Sequence, residues 1–334
     1  MSYSKQIYTQ AMDLINSRRL NAEKDAEIKQ TEIYKADPEI ERINKEISAS
    51  GIAAARAVFY GKDVNEEMGK LKMKNLALQD ELKGRLISKG YPVNALEPQY
   101  TCTKCNDTGY YEKDNKTVVC DCLKNALIKC TCDEINASSP LSLCTFESFS
   151  LSNYDMDVSE NSSSPYEIMS KILNFCIQYA NGFNANSKSL LLRGATGLGK
   201  THLSLAIANE VINKGYSVIY VSAPTILSKL EKQHFSNDYN SEEETLNALL
   251  ECDLLIIDDL GTEFVNNFSV TEIYNIFNSR LLQGKPVIIN TNLTLKEIES
   301  NYSQRFLSRL VGCAIRLDFL GRDVRTIDRN KKNF

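Results

Sequence analysis

The second half of the chain alternates between short apolar runs and longer amphipathic stretches. The apolar runs lie at 189–193, 217–222, 253–258, 286–290 and 314–319. Unbroken apolar strands are typical of a parallel sheet that is covered on both faces, and helices between the strands supply that cover. The pattern therefore predicts an α/β fold with a doubly wound parallel sheet over residues 166–334.

The first 97 residues follow helical spacing instead. Proline fits the first turn of a helix and disfavours helical geometry in the residue before it, so Pro38 predicts a boundary between two helices. One apolar face is formed by Met68, Leu71, Leu78 and Leu82. We predict an all-α region over residues 1–97. Its apolar face fits either a helical hairpin that packs on itself or a surface that docks a partner.

Residues 98–135 are rich in cysteine. A CxxC pair and a CxC pair flank a predicted β-hairpin, and their residues are Cys102, Cys105, Cys120 and Cys122. Zinc takes four thiolates in a tetrahedron, and two close pairs joined by a hairpin supply them. We predict a structural Zn²⁺ module here, because four thiolates leave no open position for a substrate. Cys130 and Cys132 form a further CxC pair that replaces one ligand pair or stays free. Residues 136–165 are predicted to be a linker.

The apolar run at 189–193 leads into a glycine-rich motif and then into a helical stretch. The motif, residues 194–201, matches G-x-x-x-x-G-K-[ST]. Its glycines let successive N–H groups point at phosphate oxygens near the positive end of a helix. Lys200 would neutralise the β- and γ-phosphates, and the Thr201 hydroxyl would ligate Mg²⁺. The expected nucleotide contacts are Gly194, Ala195, Thr196, Gly197, Leu198, Gly199, Lys200, Thr201 and His202.

Two acids, Asp258 and Asp259, end the apolar run at 253–258. Ligands collect at the carboxyl ends of the strands in open α/β sheets, so these acids should lie beside the phosphate loop. Asp258 would hold the magnesium ion through water, and Asp259 would polarise the attacking water as the general base. Together the two motifs predict an ATPase that uses ATP and Mg²⁺.

The composition of the chain limits the cellular compartment and the partners that we expect. The net charge of −4 gives no global basic signature, so any contact with nucleic acid must come from a local patch. We find no apolar stretch near the ~20 residues that cross a bilayer, and no signal-peptide core at the N-terminus. Several of the ten cysteines fall in predicted strands or in metal-like pairs, which favours a reducing compartment. We expect a cytoplasmic protein with no membrane partner.

Four segments follow one another along the chain: GATGLGKTHL, LLIIDDLGTE, PVIINTNL and RFLSRL. In that order they resemble the bacterial replicative helicase loaders of the DnaC/DnaI type, a DnaA-related branch of the AAA+ ATPases. The resemblance covers roughly residues 98–330 and is weaker in the N-terminal helices. It implies a slow, regulatory ATPase. It also implies two partners, which are the hexameric replicative helicase, docked on the N-terminal helices, and single-stranded DNA.

The resemblance also implies roles for single residues. Asn292 matches the sensor that orients the attacking water, and Asn290 is the alternative two residues earlier. Arg309 matches the arginine finger that reaches the γ-phosphate of a neighbouring subunit, which implies self-association, and Arg305 lies one helical turn before it. Arg325 matches a second sensor arginine at the nucleotide.

Loaders of this family touch single strands through the segment that corresponds to residues 225–240. Its cations and rings are Lys229, Lys232, His234, Phe235 and Tyr239. Phosphate neutralisation combined with base stacking suits a strand binder that tolerates any sequence. The alternative is a solvated helix with Phe235 in the core, and the acidic run at 242–244 weakens the patch.

Other functions fit parts of the same pattern. A transposase-helper ATPase of the IstB type would oligomerise on duplex DNA, although such helpers usually have a shorter N-terminal region. A phage-encoded loader would have the same features. A metal-binding interaction protein with a vestigial ATPase disagrees with the intact Lys200, Thr201, Asp258 and Asp259.

Overall fold

The computed structural model describes residues 4–60, 64–137, 144–156, 164–235 and 239–324. The chain divides into two compact units. One is Met12–Leu123, and the other combines Met1–Ala11 with Lys124–Phe334. No helix among the described residues is long and apolar enough to cross a membrane.

The N-terminal region is helical, as predicted. Its helices are α1 (Lys5–Ala36), α2 (Pro38–Tyr60) and α3 (Val64–Ser88). Asp37 and Pro38 separate the first two, because the Asp37 carboxylate accepts the N–H of Glu39 at 3.1 Å and caps α2.

The apolar stripe of α3 lies on the side that faces α2. Leu71, Leu78 and Leu82 are half-buried, and the Asn75 side chain between them donates to Ser50 on α2 at 2.7 Å. This favours the interpretation of the stripe as the inner face of a helical hairpin. The side chain of Met68 lies outside the described residues.

The cysteine-rich segment contains the predicted hairpin. Strands β1 (Tyr110–Lys113) and β2 (Lys116–Val119) pair in antiparallel fashion. Asp114 and Asn115 form the two-residue turn with φ values of 52° and 58°. Asp and Asn tolerate this left-handed conformation, which matches the twist of the two strands.

A parallel sheet of five strands forms the centre of the larger unit, and this confirms the predicted fold class. The strands are β3 (Ser189–Arg193), β4 (Val218–Ser222), β5 (Leu254–Leu260), β6 (Val287–Thr291) and β7 (Ala314–Asp318). Their order is β4-β5-β6-β3-β7. The remaining described helices are α4 (Asp121–Asn136), α5 (Pro165–Asn181), α6 (Lys200–Asn213), α7 (Ala223–Phe235), α8 (Tyr239–Glu251), α9 (Asn267–Leu282), α10 (Leu295–Tyr302) and α11 (Gln304–Cys313).

Both faces of the sheet are buried in apolar cores. Alternate residues of one strand point to opposite faces, so Leu191 enters one core while Leu190 and Leu192 enter the other. All three are at most 1 % exposed. This double burial explains why the strands read as unbroken apolar runs. The candidate site begins at the carboxyl ends of these buried strands.

Candidate functional site

The phosphate loop joins the end of β3 to the start of α6. Gly199 precedes α6 with a left-handed φ of 85°. A side-chain carbon on Gly199 would lie 2.7 Å from the Phe149 ring, and one on Gly194 would lie 2.6 Å from the carbonyl oxygen of Phe319. Only glycine satisfies both the backbone conformation and the close neighbours.

Lys200 is folded back onto this loop. Its ammonium group donates to the carbonyl oxygens of Gly194 and Ala195, both at 2.7 Å, and the residue is 7 % exposed. A buried cation needs such partners, because loss of hydration is costly without them. Phosphate oxygens are better partners than carbonyl oxygens for this ammonium group, because they carry the opposite charge.

Asp258 is the centre of a buried hydrogen-bond cluster. It is 2 % exposed and accepts from three side chains on three different elements. The Thr201 hydroxyl donates to it at 2.9 Å, the Asn290 amide at 2.7 Å and the Tyr220 phenol at 2.5 Å. Burial, together with the hydrogen bond to Asp258, raises the pKa of Tyr220, so the phenol keeps its proton and remains a donor. The two residues expected to bind magnesium, Thr201 and Asp258, are therefore in direct contact.

Asp259 differs from Asp258 in both conformation and exposure. It is exposed and has a φ of 54°, a conformation that is uncommon outside glycine. The pairing of β5 with β6 shifts here, since Ile257 pairs with Ile289 but Leu260 pairs with Thr291. An extra residue in one strand re-aims side chains and is common beside active sites.

The two asparagines of β6 and its end are placed differently. Asn290 is fully buried and donates to both Asp258 and Ser204. Asn292 follows β6 and is exposed. Asn290 thus holds the buried acid, whereas Asn292 is open to solvent at the carboxyl end of the strand. The sensor role of Asn292 stays a prediction.

Part of the predicted linker packs on the phosphate loop. The Tyr154 hydroxyl donates to the carbonyl of Leu198 at 3.0 Å, and the rings of Phe149 and Tyr154 stack with their centroids 5.9 Å apart. His202, expected at the nucleotide, instead lies with Nε2 2.8 Å from the carbonyl oxygen of Thr145. The spacing of the aromatic residues in 144–156 is the sequence signal for this packing. It lies within the stretch that is predicted to be a linker. The rest of that linker, 138–143 and 157–163, lies outside the described residues.

The segment after β7 also packs on this loop. The N–H of Val324 donates to the carbonyl of Gly197 at 3.0 Å. The Asp323 carboxylate is so close that a side-chain carbon on Gly197 would lie 1.8 Å from it. Arg325, the predicted second sensor, follows Val324 and lies outside the described residues.

The candidate arginine finger, Arg309, lies on α11 together with Arg305. Arg309 is half-exposed, and its guanidinium lies over the ring of Tyr274 with 5.5 Å to the centroid. Arg305 is exposed. The buried side of the helix is formed by Phe306 and Leu310, both fully buried, so α11 is firmly packed while its arginines face outward.

The four predicted zinc ligands come together in the smaller unit. Their sulfur atoms all lie within 4.8 Å of one another, with Cys102 and Cys120 at 3.7 Å and Cys105 and Cys122 at 3.3 Å. Sulfur atoms around tetrahedral zinc are about 3.8 Å apart when the Zn–S bonds are ~2.3 Å, so the donor set fits this ion. Asp107 is fully buried and accepts the N–H groups of residues 101 and 102 at 2.7 and 3.0 Å.

The pKa values of three of these thiols are shifted, and not all in the same direction. Burial raises the pKa of Cys122 and of Cys120. Burial also acts to raise the pKa of Cys105, but hydrogen bonds from Cys122 and from the backbone of Gly109 outweigh it and lower the pKa to about 7. A zinc ion would replace these protons, because it binds thiolates. The further cysteine pair, Cys130 and Cys132, is separate from this cluster, since Cys132 packs in the sheet core at 2 % exposure.

Helix α7 shows a buried side and an exposed end. Ile226, Leu227 and Leu230 pack on the sheet, whereas Phe235 is 73 % exposed. The interpretation that placed Phe235 in the core is therefore wrong. Lys232 is exposed too, and His234 is engaged by the Glu242 carboxylate at 3.1 Å. The side chain of Tyr239 lies outside the described residues.

Comparison with known proteins finds relatives of the nucleotide-binding part of the chain. The replicative helicase loader DnaC of Escherichia coli (strain K12) is 33 % identical over 133 residues, which are 40 % of this chain and 54 % of the loader. The nucleotide-binding domain is homologous to the DnaC-type helicase loaders. The resemblance inferred from the four segments is thereby confirmed. The chain spans about half the length of the DnaC relatives that it matches.

Three further similarities were found. A family model described as IstB-like ATP binding protein matches residues 166–319. The phage-like element PBSX protein XkdC of Bacillus subtilis (strain 168) is 25 % identical over 229 residues, which are 65 % of this chain and 82 % of that protein. The crystal structure of the DnaC helicase loader covers 51 % of this chain and 98 % of its own, with 22 % identity and a TM-score of 0.43.

Proposed function

We propose that this protein is an ATP-dependent helicase loader, which binds the hexameric replicative helicase and single-stranded DNA in an ATP-switched manner in the cytoplasm. The observation that carries the proposal is the cluster of Lys200, Thr201 and Asp258 at one sheet edge, in a domain homologous to DnaC. An interaction protein with a vestigial ATPase would not need to keep these three side chains together.

In this proposal the triphosphate binds where Lys200 now contacts the loop carbonyls. The ammonium turns from Gly194 and Ala195 to the β- and γ-phosphates, and the N–H groups that open α6 face the same oxygens. Thr201 and Asp258 would hold Mg²⁺, which would supply charge stabilisation to the phosphoryl oxygens. Tyr220 and Asn290 keep Asp258 in place, because each donates to it from a different strand.

Turnover needs an activated water molecule and stabilised phosphoryl charge. Asp259 is exposed at the end of β5 and acts as the general base in our scheme. Asn292 orients the water from the neighbouring strand end. Arg309 of one subunit stabilises the transferring phosphoryl group in the site of the next. We propose that turnover is slow, so that ATP binding and release switch the loader between two states.

The arginine finger can be tested by mixing two inactive variants. Arg309→Ala should bind ATP normally and hydrolyse it slowly, whereas Lys200→Ala has no working site but an intact finger. Mixed oligomers join an intact site to an intact finger, so part of the ATPase rate should return. If no mixing ratio restores activity, the arginine acts within its own subunit or not at all.

The N-terminal helical region is the part of the chain that is proposed to bind the helicase. Although α2 covers the inner stripe of α3, several large apolar side chains remain exposed on α1 and α3: Leu20, Ile28, Met73, Leu76 and Ile87. Exposed apolar residues on long helices suit a helical partner surface. The cysteine module would hold Zn²⁺ as a structural element of the same unit.

Single-stranded DNA is proposed to bind along α7. Phe235 offers an exposed ring for base stacking, which is worth about 1–3 kcal/mol per base, and Lys232 neutralises phosphate. Phe235→Ala should weaken single-strand binding without altering ATP affinity, and Lys232→Ala should lower the salt dependence. Unchanged DNA affinity in a folded Phe235→Ala protein would contradict this part of the proposal.

The match to the IstB-like family keeps one alternative, a transposase-helper ATPase on duplex DNA. The long helical region and the cysteine module favour the loader. The decisive experiment is a pull-down of the host replicative helicase with ATP or ADP, using Lys200→Ala as the control that cannot switch. ATP-dependent capture is expected of a loader. Helicase capture in neither state, with preferential assembly on duplex DNA, would favour the helper.

A further inference from the structure

The loop that follows the catalytic acids is tightly constrained. Thr262 donates to the carbonyl of Asp259 twice, from its N–H at 3.1 Å and from its hydroxyl at 2.8 Å. Gly261 has a φ of 100°, and a side-chain carbon there would lie 2.4 Å from Leu293. The backbone that presents Asp259 is therefore fixed by its own turn and by the end of β6.

Glu263 ends this turn and is buried, at 8 % exposure. One carboxylate oxygen accepts the N–H of Gly261 at 2.9 Å, and the other accepts the hydroxyl of Tyr302. Burying a carboxylate is costly unless donors replace its water, and here both oxygens have one. Burial and the hydrogen bond to Glu263 raise the pKa of Tyr302, which keeps the phenol protonated and donating.

Tyr302 is the last residue of α10, and Ser303 caps α11 directly after it. Tyr302 is 2 % exposed, and its ring lies 5.4 Å from that of Phe306 in the first turn of α11. The Glu263–Tyr302 hydrogen bond thus joins the loop of Asp259 to the start of the helix that carries Arg309.

We propose that Glu263 and Tyr302 are positioning residues that lock the catalytic acid and the arginine-finger helix of one subunit into a single unit. The inference rests on the proposed trans-acting ATPase. Its consequence is that a subunit cannot shift its acid loop without also shifting the arginine that it offers to its neighbour. The two ends of the subunit, site and finger, are then coupled through one buried hydrogen bond.

The test uses the mixing assay with Tyr302→Phe placed in one partner at a time. In the finger donor, Lys200→Ala/Tyr302→Phe should restore Arg309→Ala activity roughly tenfold less well than Lys200→Ala alone, since small misplacements of catalytic groups have effects of this size or larger. In the site-bearing partner, Arg309→Ala/Tyr302→Phe should be restored less well by a similar factor. The ATP affinity of Arg309→Ala should remain unchanged when Tyr302→Phe is added to it.

Two variants control for a merely structural effect. Tyr179→Phe removes another phenol of the same unit, one that donates to the carbonyl of Lys188, and it should leave the rescue intact. Glu263→Gln keeps the shape and can still hydrogen-bond both neighbours, so it should behave closer to the wild type than Tyr302→Phe.

The outcomes separate the two proposals. If Lys200→Ala fails to rescue Arg309→Ala even with Tyr302 present, the trans-acting finger is wrong and the coupling falls with it. If that rescue works but is unaffected by Tyr302→Phe in either partner, only the coupling is overturned. A loss in one partner alone would also overturn it, because a lock must act on both ends.

Discussion

The nucleotide site and the cysteine module are built in opposite ways. The site gathers residues from β3, β5, β6 and the segments around them, and each rests on a strand buried on both faces. The cysteine module brings its four ligands together within residues 102–122, around strands of four residues each. A large apolar core holds the first site in shape before any ligand arrives, whereas such a short segment buries little apolar surface of its own. The two regions should therefore respond differently when their ligands are removed.

The largest expected effect is on the cysteine module. Chelation, or Cys120→Ser with Cys122→Ser, should unfold it, because structural zinc contributes about 10–16 kcal/mol to folding in small zinc modules. Metal analysis of protein purified without added zinc should find one ion in the wild type and none in the double variant. Cys130→Ser is the matched control and should keep the ion, since Cys130 lies outside the cluster. ATP binding should survive chelation, and its loss would break the comparison.

The second effect divides binding from turnover at the nucleotide site. Lys200→Ala should abolish tight ATP binding, because the charge that faces the β- and γ-phosphates is lost. Asp259→Asn should keep ATP affinity and lose hydrolysis, since only water activation is removed. Equilibrium binding of an ATP analogue and a steady-state ATPase rate measure the two. Equal loss of binding in both variants would contradict this division of roles.

A third expectation concerns pH. Burial holds the pKa of Cys120 and Cys122 above the usual value, so their protons must leave before zinc can bind. Apparent zinc affinity should therefore rise with pH through the neutral range, by up to tenfold per unit for each proton displaced. Competition with a chromophoric chelator at several pH values measures this. A flat profile would mean that the thiols are already ionised, and ATP affinity measured in parallel should change far less.

The smallest effect sharpens the description of the nucleotide site. Tyr220→Phe removes one of three donors to Asp258 and should cost about 1.5–3 kcal/mol in stability, as for a hydrogen bond to a charged group. Hydrolysis should then require more Mg²⁺, because the carboxylate is less firmly oriented. Thermal melts and a Mg²⁺ titration of the rate check both, with Tyr179→Phe as the control. An unchanged Mg²⁺ requirement would show that Thr201 and Asn290 suffice.

Local sequence was informative wherever a function depends on neighbouring residues. Four features are short-range patterns of this kind: the phosphate loop, the acids that end β5, the cysteine pairs and the Asp114–Asn115 turn. Each is formed by residues that are close together in the sequence. Asp37 and Pro38 fixed a helix boundary for the same reason. The placement of Phe235 was different. Whether the end of α7 turns inward or outward depends on how the helix packs on the sheet, which helical spacing alone does not define.

What the sequence determined by itself is the order of the elements and the chemistry at the strand ends. Only the tertiary structure decided which distant side chains meet: Tyr220 and Asn290 on Asp258, Tyr154 on the phosphate loop, and Tyr302 on Glu263. These contacts join residues far apart in the chain, and their formation depends on strand order, on the register shift in β5 and on helix packing. A motif of neighbouring residues carries its own geometry, whereas a contact across the sheet acquires its geometry only when the whole sheet is assembled.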